Sequence, residues 1–207
     1  MKVRLTHIDG RLPNLALMKL AHWHRAQGDE VSFSRLPMPR PDEPSYDRVY
    51  VSSIFDWSQP IVSKAVTAFS GAEVMSGGTG VPEWEHLPTV EDVIGQPVYE
   101  HYDYSIYPDF PWSIGFTARG CRLKCPFCVV PKKEGKPQPV NALLDIWRVG
   151  TKRNLHLLDN DFFGQPEWAW KTRLAEARSG NFRICFNQGI NIRAVTPAIA
   201  AELSTIR

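Results

Sequence analysis

Ser113-Ile114-Gly115-Phe116-Thr117-Ala118-Arg119-Gly120-Cys121-Arg122-Leu123-Lys124-Cys125-Pro126-Phe127-Cys128 is the stretch on which the reading of this 207-residue chain turns. Ser113 to Thr117 reads as a strand, and it runs straight into a loop holding three of the four cysteines. Three thiolates within eight residues suit a soft metal centre. Three protein ligands rather than four also leave one metal position for a small molecule. A structural zinc site normally takes four Cys or His ligands, commonly as two separated pairs. Cys185 lies 57 residues beyond Cys128, inside an apolar run, and no Cys/His pair stands at a matching distance. A redox pair of Cys125 and Cys128 would leave Cys121 without a role. A secreted disulfide framework does not suit a chain of this length with four cysteines and no signal-peptide pattern. The ligand rules favour iron–sulfur, with zinc and a redox pair as the open alternatives.

Downstream of the loop, strand and helix patterns alternate. Val140 to Val149 reads as a helix with Leu143, Leu144 and Trp147 on one face, closed by Gly150. Leu155 to Leu158 is a second strand, ending in Asp159-Asn160-Asp161-Phe162-Phe163. Pro166 opens a helix that ends near Gly180, and Phe182 to Phe186 is a third strand leading into Asn187-Gln188-Gly189. Thr196-Pro197 starts a last helix, with Ile199, Leu203 and Ile206 at helical spacing. These are three consecutive βα units, the building block of parallel barrels. Cys185, alternating with Ile184 and Phe186, is expected as a small core residue. The six histidines show no metal spacing and are assigned no role.

Upstream, residues 1–80 read as a small α/β domain. Strands are expected at Val3 to Ile8, Val31 to Phe33, Arg48 to Ile54 and Ala72 to Met75. Helices are expected after Pro13, ending at Gly28, and from Gln59 to Phe69. The last strand runs into Gly77-Gly78-Thr79-Gly80, which serves either for close backbone approach to a phosphate or as a plain tight turn. Residues 81–112 form a connector with five prolines and seven aromatics. The prolines break regular structure and the aromatics seek burial, so an ordered strap is expected. Residues 113–207 carry the three βα units.

CxxxCxxC with Phe127 before its last cysteine resembles the radical S-adenosylmethionine (SAM) enzymes. That resemblance implies a 4Fe–4S cluster held by Cys121, Cys125 and Cys128, with SAM on the fourth iron. It also implies Phe127 against the SAM adenine, and one-electron cleavage of SAM to a 5′-deoxyadenosyl radical that modifies a substrate, by methylation or rearrangement among others. The strand ends that carry sites in parallel barrels add Asp159, Asn160, Asn187, Gln188 and Arg193 as cofactor-binding candidates. Asp159 and Asn160 fall where the family often has a GGE motif; turn formation and helix capping are the competing role. The first domain resembles the cobalamin-binding domains that precede many radical SAM barrels, which makes it Rossmann-like and cobalamin a candidate cofactor. The DxHxxG motif that supplies a cobalt ligand is missing, since Thr6-His7-Ile8-Asp9-Gly10 has a different order, so a scaffold that has lost the cofactor is expected. The family's partial barrel has six βα units and three are present here. The chain therefore reads as a partial, truncated (β/α) barrel whose open sheet edge favours self-association. The rival class is a non-catalytic iron–sulfur or zinc-binding interaction protein.

Composition narrows the partners. With 43% hydrophobic and 22% charged residues the chain is an ordinary globular one, and no apolar run spans a membrane. Thiolate-rich chains belong in a reducing compartment, so cytoplasm is expected. The net charge of +2 does not indicate nucleic acid. It conceals an asymmetry: Ala65 to Ala118 has no Lys or Arg, whereas Arg119 to Lys136 has six against Glu134 alone. A positive loop suits an anionic cluster and a SAM carboxylate, with a solvated loop facing the acidic segment as the open alternative, and the expected partners are SAM, a substrate and a one-electron reductant.

Overall fold

Val3, Leu5, Val49 and Val51 are buried without interruption by exposed neighbours, the pattern of parallel strands covered on both faces. The computed structural model describes residues 1–207, which form two units, Met1–Pro108 and Asp109–Arg207. Both are mixed α/β.

The first unit runs β1 (Lys2–His7), α1 (Leu15–Ala26), β2 (Glu30–Ser34), β3 (Arg48–Ser52), α2 (Gln59–Ala68), β4 (Glu73–Gly77) and α3 (Val90–Ile94). Its four strands are all parallel, in the order β2-β1-β3-β4. Asn14 caps α1 by accepting the Leu17 N–H at 3.2 Å, so Pro13 stands one residue ahead of the cap rather than in the first turn. One buried cation interrupts the apolar strand β1. Arg4 is fully enclosed; it donates to Glu43 (2.8 Å), Thr6 (2.5 Å) and the Leu36 carbonyl (3.0 Å), and stacks on Phe69. With each of its three nitrogens hydrogen-bonded, its burial is compensated, and the loop after β2 is pinned over the sheet.

Residues 81–108, the greater part of the connector expected over 81–112, form a layer against α1. The buried Lys19 ammonium bonds Glu91 (2.8 Å) and Glu100 (2.5 Å), Tyr99 bonds His22 (2.6 Å), and the Asp103 N–H meets the Met18 carbonyl (3.2 Å). Tyr99 and Tyr107 are buried, as aromatics in an ordered strap should be.

The second unit runs β5 (Ser113–Gly115), β6 (Ala118–Arg119), α4 (Val130–Glu134), β7 (Gln138–Pro139), α5 (Leu143–Ile146), β8 (Asn154–Leu157), α6 (Glu167–Ser179), β9 (Arg183–Phe186) and α7 (Pro197–Leu203). Strands β5, β8 and β9 form a parallel sheet in that order, while β6 and β7 make a small antiparallel pair. Leu155 and Leu157 join Leu143, Ile146, Phe162, Trp170, Leu174 and Phe182 in the core, and Ile184 and Phe186 pack against it. The helix expected over 140–149 is a single turn. Asn141 donates its side-chain amide to the Phe116 carbonyl (2.8 Å), Trp147 is already extended, and the Arg148 N–H goes to the Ser113 hydroxyl (2.8 Å), so strand contacts take the groups a longer helix would use. Cys185 is exposed, not a core residue as expected: alternation puts Ile184 and Phe186 on the packed face and turns Cys185 to the other. The Ile184 N–H meets the Arg207 carbonyl at 2.8 Å along the outer edge of β9. No helix is long and apolar enough to cross a membrane.

His7 gives the first unit a pH response. It is buried at the end of β1, bonded to the Tyr107 hydroxyl at 2.9 Å, and burial with the nearby Arg35 charge pushes its pKa down to about 4. A depressed imidazole pKa means stability present above 6.5 and lost as pH falls toward 4, by roughly 3 kcal/mol. In denaturant unfolding, the stability advantage of wild type over His7→Gln should shrink by about that amount between pH 7 and pH 4. An advantage independent of pH would contradict it.

Candidate metal centre

The cysteine loop is closed at its base by the β6–β7 pair, in which Ala118 stands opposite Pro139 and Arg119 opposite Gln138. Gly120 lets the chain turn there. Its φ is +90°, and a Cβ would overlap the backbone carbonyl of Lys136, so only glycine fits. The Cys121 N–H then bonds the Gly135 carbonyl at 3.1 Å, which lays the first cysteine against the turn after α4.

Three carboxylates hold this loop. Asp159, at the end of β8, is buried and accepts the Thr117 N–H (2.7 Å), the Ala118 N–H (3.2 Å) and the Thr117 hydroxyl. Asp161, also buried, accepts the Arg122 N–H (3.2 Å) and pairs with its guanidinium (3.0 Å). Glu134 accepts the Gly120 N–H (2.9 Å) and pairs with Arg119 (3.0 Å). Acceptors from three places in the chain thus fix both ends of the segment that presents the sulfurs. Burial outweighs the hydrogen bonds at Asp159 and pushes its pKa up to about 6.

Cys121 is buried; Cys125 and Cys128 are half-buried, and the Cys128 N–H bonds the Cys125 carbonyl at 3.0 Å. Burial, then the charges of Asp161, Cys128 and Cys125, raise the Cys121 thiol pKa. No group of three or more His, Cys, Asp or Glu stands in metal-ligating geometry. Thiolate, not thiol, is the metal ligand, so metal loading at these cysteines would release protons. Three sulfur donors within one loop are soft ligands of the kind that iron or zinc takes.

The other expected site residues divide. Asp159 and Asn160 belong to the loop: Asp159 as its clamp, with both carboxylate oxygens engaged, and Asn160 reaching Glu134 at 3.5 Å. Phe127 is 89% exposed and packs on nothing extensive. Asn187 lies on the face of the sheet away from the core, where its side-chain oxygen meets His156 Nδ1 (3.0 Å) and accepts from the Cys185 thiol (3.1 Å). Trp112 stacks on His156 with ring centres 4.2 Å apart, and a cavity of about 270 Å³ opens beside them. Gln188 and Arg193 are exposed, and the Arg193 N–H is taken by Asn191 at 3.2 Å. Sequence reasoning does not single out Glu134, Thr117 or the clamping role of Asp161. Glu134 carries one signal, as the lone acid among six cations. His156 carries none.

At the first unit's strand ends, Gly78 (φ +100°) presses on the Ser53 carbonyl, so the Gly-rich loop makes its close approach to backbone. Asp9 is held by the Ile54 N–H (2.8 Å), the Phe55 N–H (3.2 Å) and the Ser53 hydroxyl (2.6 Å). Compared with protein-family models, curated proteins and solved structures, the chain matches none.

Asp159 allows a direct test. In Asp159→Asn one oxygen still accepts both backbone N–H groups, and the amide can donate to the Thr117 hydroxyl. A raised carboxyl pKa means stability present below 3.8 and lost as pH rises through 6, by roughly 3 kcal/mol. Asp159→Asn should therefore gain about that much on wild type between pH 4 and pH 7 in denaturant unfolding. Asp159→Ala, which strands three donors, should be destabilised at both pH values. A pH-independent difference between Asp159→Asn and wild type would refute the buried-charge account.

Proposed function

We propose that this chain is a radical SAM protein whose Cys121, Cys125 and Cys128 hold a 4Fe–4S cluster. The observation that carries the proposal is the placement of a CxxxCxxC loop after the first strand of a parallel sheet, with its base clamped by a carboxylate at the end of the next strand. Sites of parallel α/β folds form at these strand ends. A cluster held by Cys121, Cys125 and Cys128 would supply one electron for reductive cleavage of SAM to methionine and a 5′-deoxyadenosyl group able to take hydrogen from a substrate.

The chain's residues serve positioning. Asp159, Asp161 and Glu134 set the loop's course, and the buried position of Cys121 shields one ligand from water. Phe127 is the aromatic available to the adenine, and its exposure leaves it free to pack on a ligand. Asn160, Asn187, Gln188 and Arg193 are the polar residues available to the rest of SAM or to the substrate. We assign Asp159 to the loop, because its oxygens are already engaged.

The second unit is read as part of a (β/α) barrel. The first, with its β2-β1-β3-β4 parallel order, is read as a Rossmann-like domain of the cobalamin-binding type. Its His7 is buried and bonded to Tyr107, which argues against a histidine ligand to cobalt from that position. The first unit is therefore proposed as a scaffold.

Anaerobically reconstituted protein given SAM and dithionite should form 5′-deoxyadenosine. Replacing Cys121, Cys125 or Cys128 by Ala should abolish both the product and the brown colour, whereas Cys185→Ala should keep the colour. Product formation that survives the three substitutions, or a protein that takes up zinc and no iron, would overturn the proposal.

A further inference from the structure

Parallel sheets are ordinarily covered by apolar packing on both faces, but the β5-β8-β9 sheet is so covered on one. Alternation sends Leu155, Leu157, Ile184 and Phe186 to the packed face. Asn154, His156, Arg183 and Cys185 stand on the other, with Asn154 opposite Arg183 and His156 opposite Cys185. One atom joins three of the groups on this face. The Asn187 side-chain oxygen meets His156 Nδ1 at 3.0 Å and accepts from the Cys185 thiol at 3.1 Å. With an amide oxygen as its partner, Nδ1 carries the imidazole hydrogen. His156 is held in turn by Trp112, whose ring stacks on it at 4.2 Å with 15° between the planes. The Cys185 thiol is therefore exposed to solvent yet fixed in direction: the indole holds the imidazole, the imidazole holds the amide, and the amide holds the S–H.

The cavity of about 270 Å³ opens beside these contacts, and Trp112, His156, Arg183, Cys185 and Arg207 all line it. Charge and size choose its ligand. Two guanidinium groups face it and no Asp or Glu side chain does, so it draws an anion and repels a metal cation. A planar guanidinium matches a carboxylate in two parallel hydrogen bonds. The volume is at the lower end for small-molecule sites, which suits a ligand of a few carbons. We propose that this cavity binds a short carboxylate that carries an electrophilic carbon, and that Cys185 is the nucleophile that attacks it. The inference is independent of the iron–sulfur reading. In the step, the Cys185 sulfur bonds to that carbon and the carbon's bond to its leaving group breaks. The leaving group departs with the bonding pair, and the thiol proton passes to water; no oxidant or reductant takes part. Arg183 and Arg207 hold the carboxylate, while His156 and Asn187 are positioning residues for the sulfur.

The test is selective alkylation of the full chain, followed by mass spectrometry of the tryptic peptide Ile184–Arg193, whose only cysteine is Cys185. Iodoacetate, a short carboxylate, is compared with iodoacetamide, its neutral counterpart. The preference of Cys185 for iodoacetate over iodoacetamide should be about tenfold greater in the folded chain than in denaturant. Propionate should protect Cys185 from iodoacetate, and propionamide should not. In Arg183→Gln/Arg207→Gln the half-saturating iodoacetate concentration should rise about tenfold with the limiting rate kept. In Asn187→Ala, which releases the thiol's direction, the limiting rate should fall with half-saturation kept. The same reagent preference in folded and unfolded chain, no protection by propionate, or a preference that survives loss of both arginines would overturn the proposal. The first two readouts need only the unsubstituted chain, so they decide the matter even where a variant fails to fold.

Discussion

The second unit depends on one buried carboxylate. Asp159 leaves the end of β8 and takes three hydrogens from Thr117 and Ala118, the residues between β5 and the cysteine loop. The loop's other anchors are the two-residue β6–β7 pair, the Cys121–Gly135 backbone bond and the contacts of Glu134 and Asp161. The arrangement has a cost, since enclosing the charge raises the carboxyl pKa to about 6. That cost is tolerable because each oxygen is met by donors, and a buried acceptor with directional partners fixes a loop more narrowly than apolar packing would.

The same logic of buried charge with full partnership appears in the first unit. Arg4 is wholly enclosed between Glu43, Thr6, Leu36 and Phe69. Lys19, hardly less buried, bonds Glu91 and Glu100. Each attaches a long irregular segment, 35–47 in one case and 81–108 in the other, to the regular sheet-and-helix framework. Prolines break regular structure in these segments, so side-chain acceptors carry the attachment that backbone ladders cannot.

Period and punctuation make most of the framework legible in the sequence. The segments at β1 and β3, rich in Val, Leu and Tyr, read as strands, and Gly28 and Gly180 mark helix ends. The cysteine spacing by itself singles out the loop. What escapes a local reading is set by partners distant in sequence. The expected helix over 140–149 is one turn because Ser113 and Phe116 take contacts from Arg148 and Asn141. Asp159 reads either as a contact for SAM or as a turn and capping residue, since an Asp at a strand end is chemically ambiguous until its hydrogen-bond partners are known. Cys185 departs from the expected core position, although its alternation with Ile184 and Phe186 already sets it on the opposite face. The grouping of His156, Asn187 and Cys185 depends on cross-strand register, with His156 opposite Cys185, and no local pattern encodes it.

The central claim, that three sulfurs of one loop hold a cluster with an open iron, is tested most directly by Mössbauer spectroscopy. Protein reconstituted with ⁵⁷Fe under anaerobic conditions is measured before and after addition of SAM. The account expects four irons per chain in a 4Fe–4S centre, with the signal of one iron in four shifting when SAM binds. Four irons that stay equivalent in the presence of SAM, or a chain that binds zinc and no iron, would contradict it.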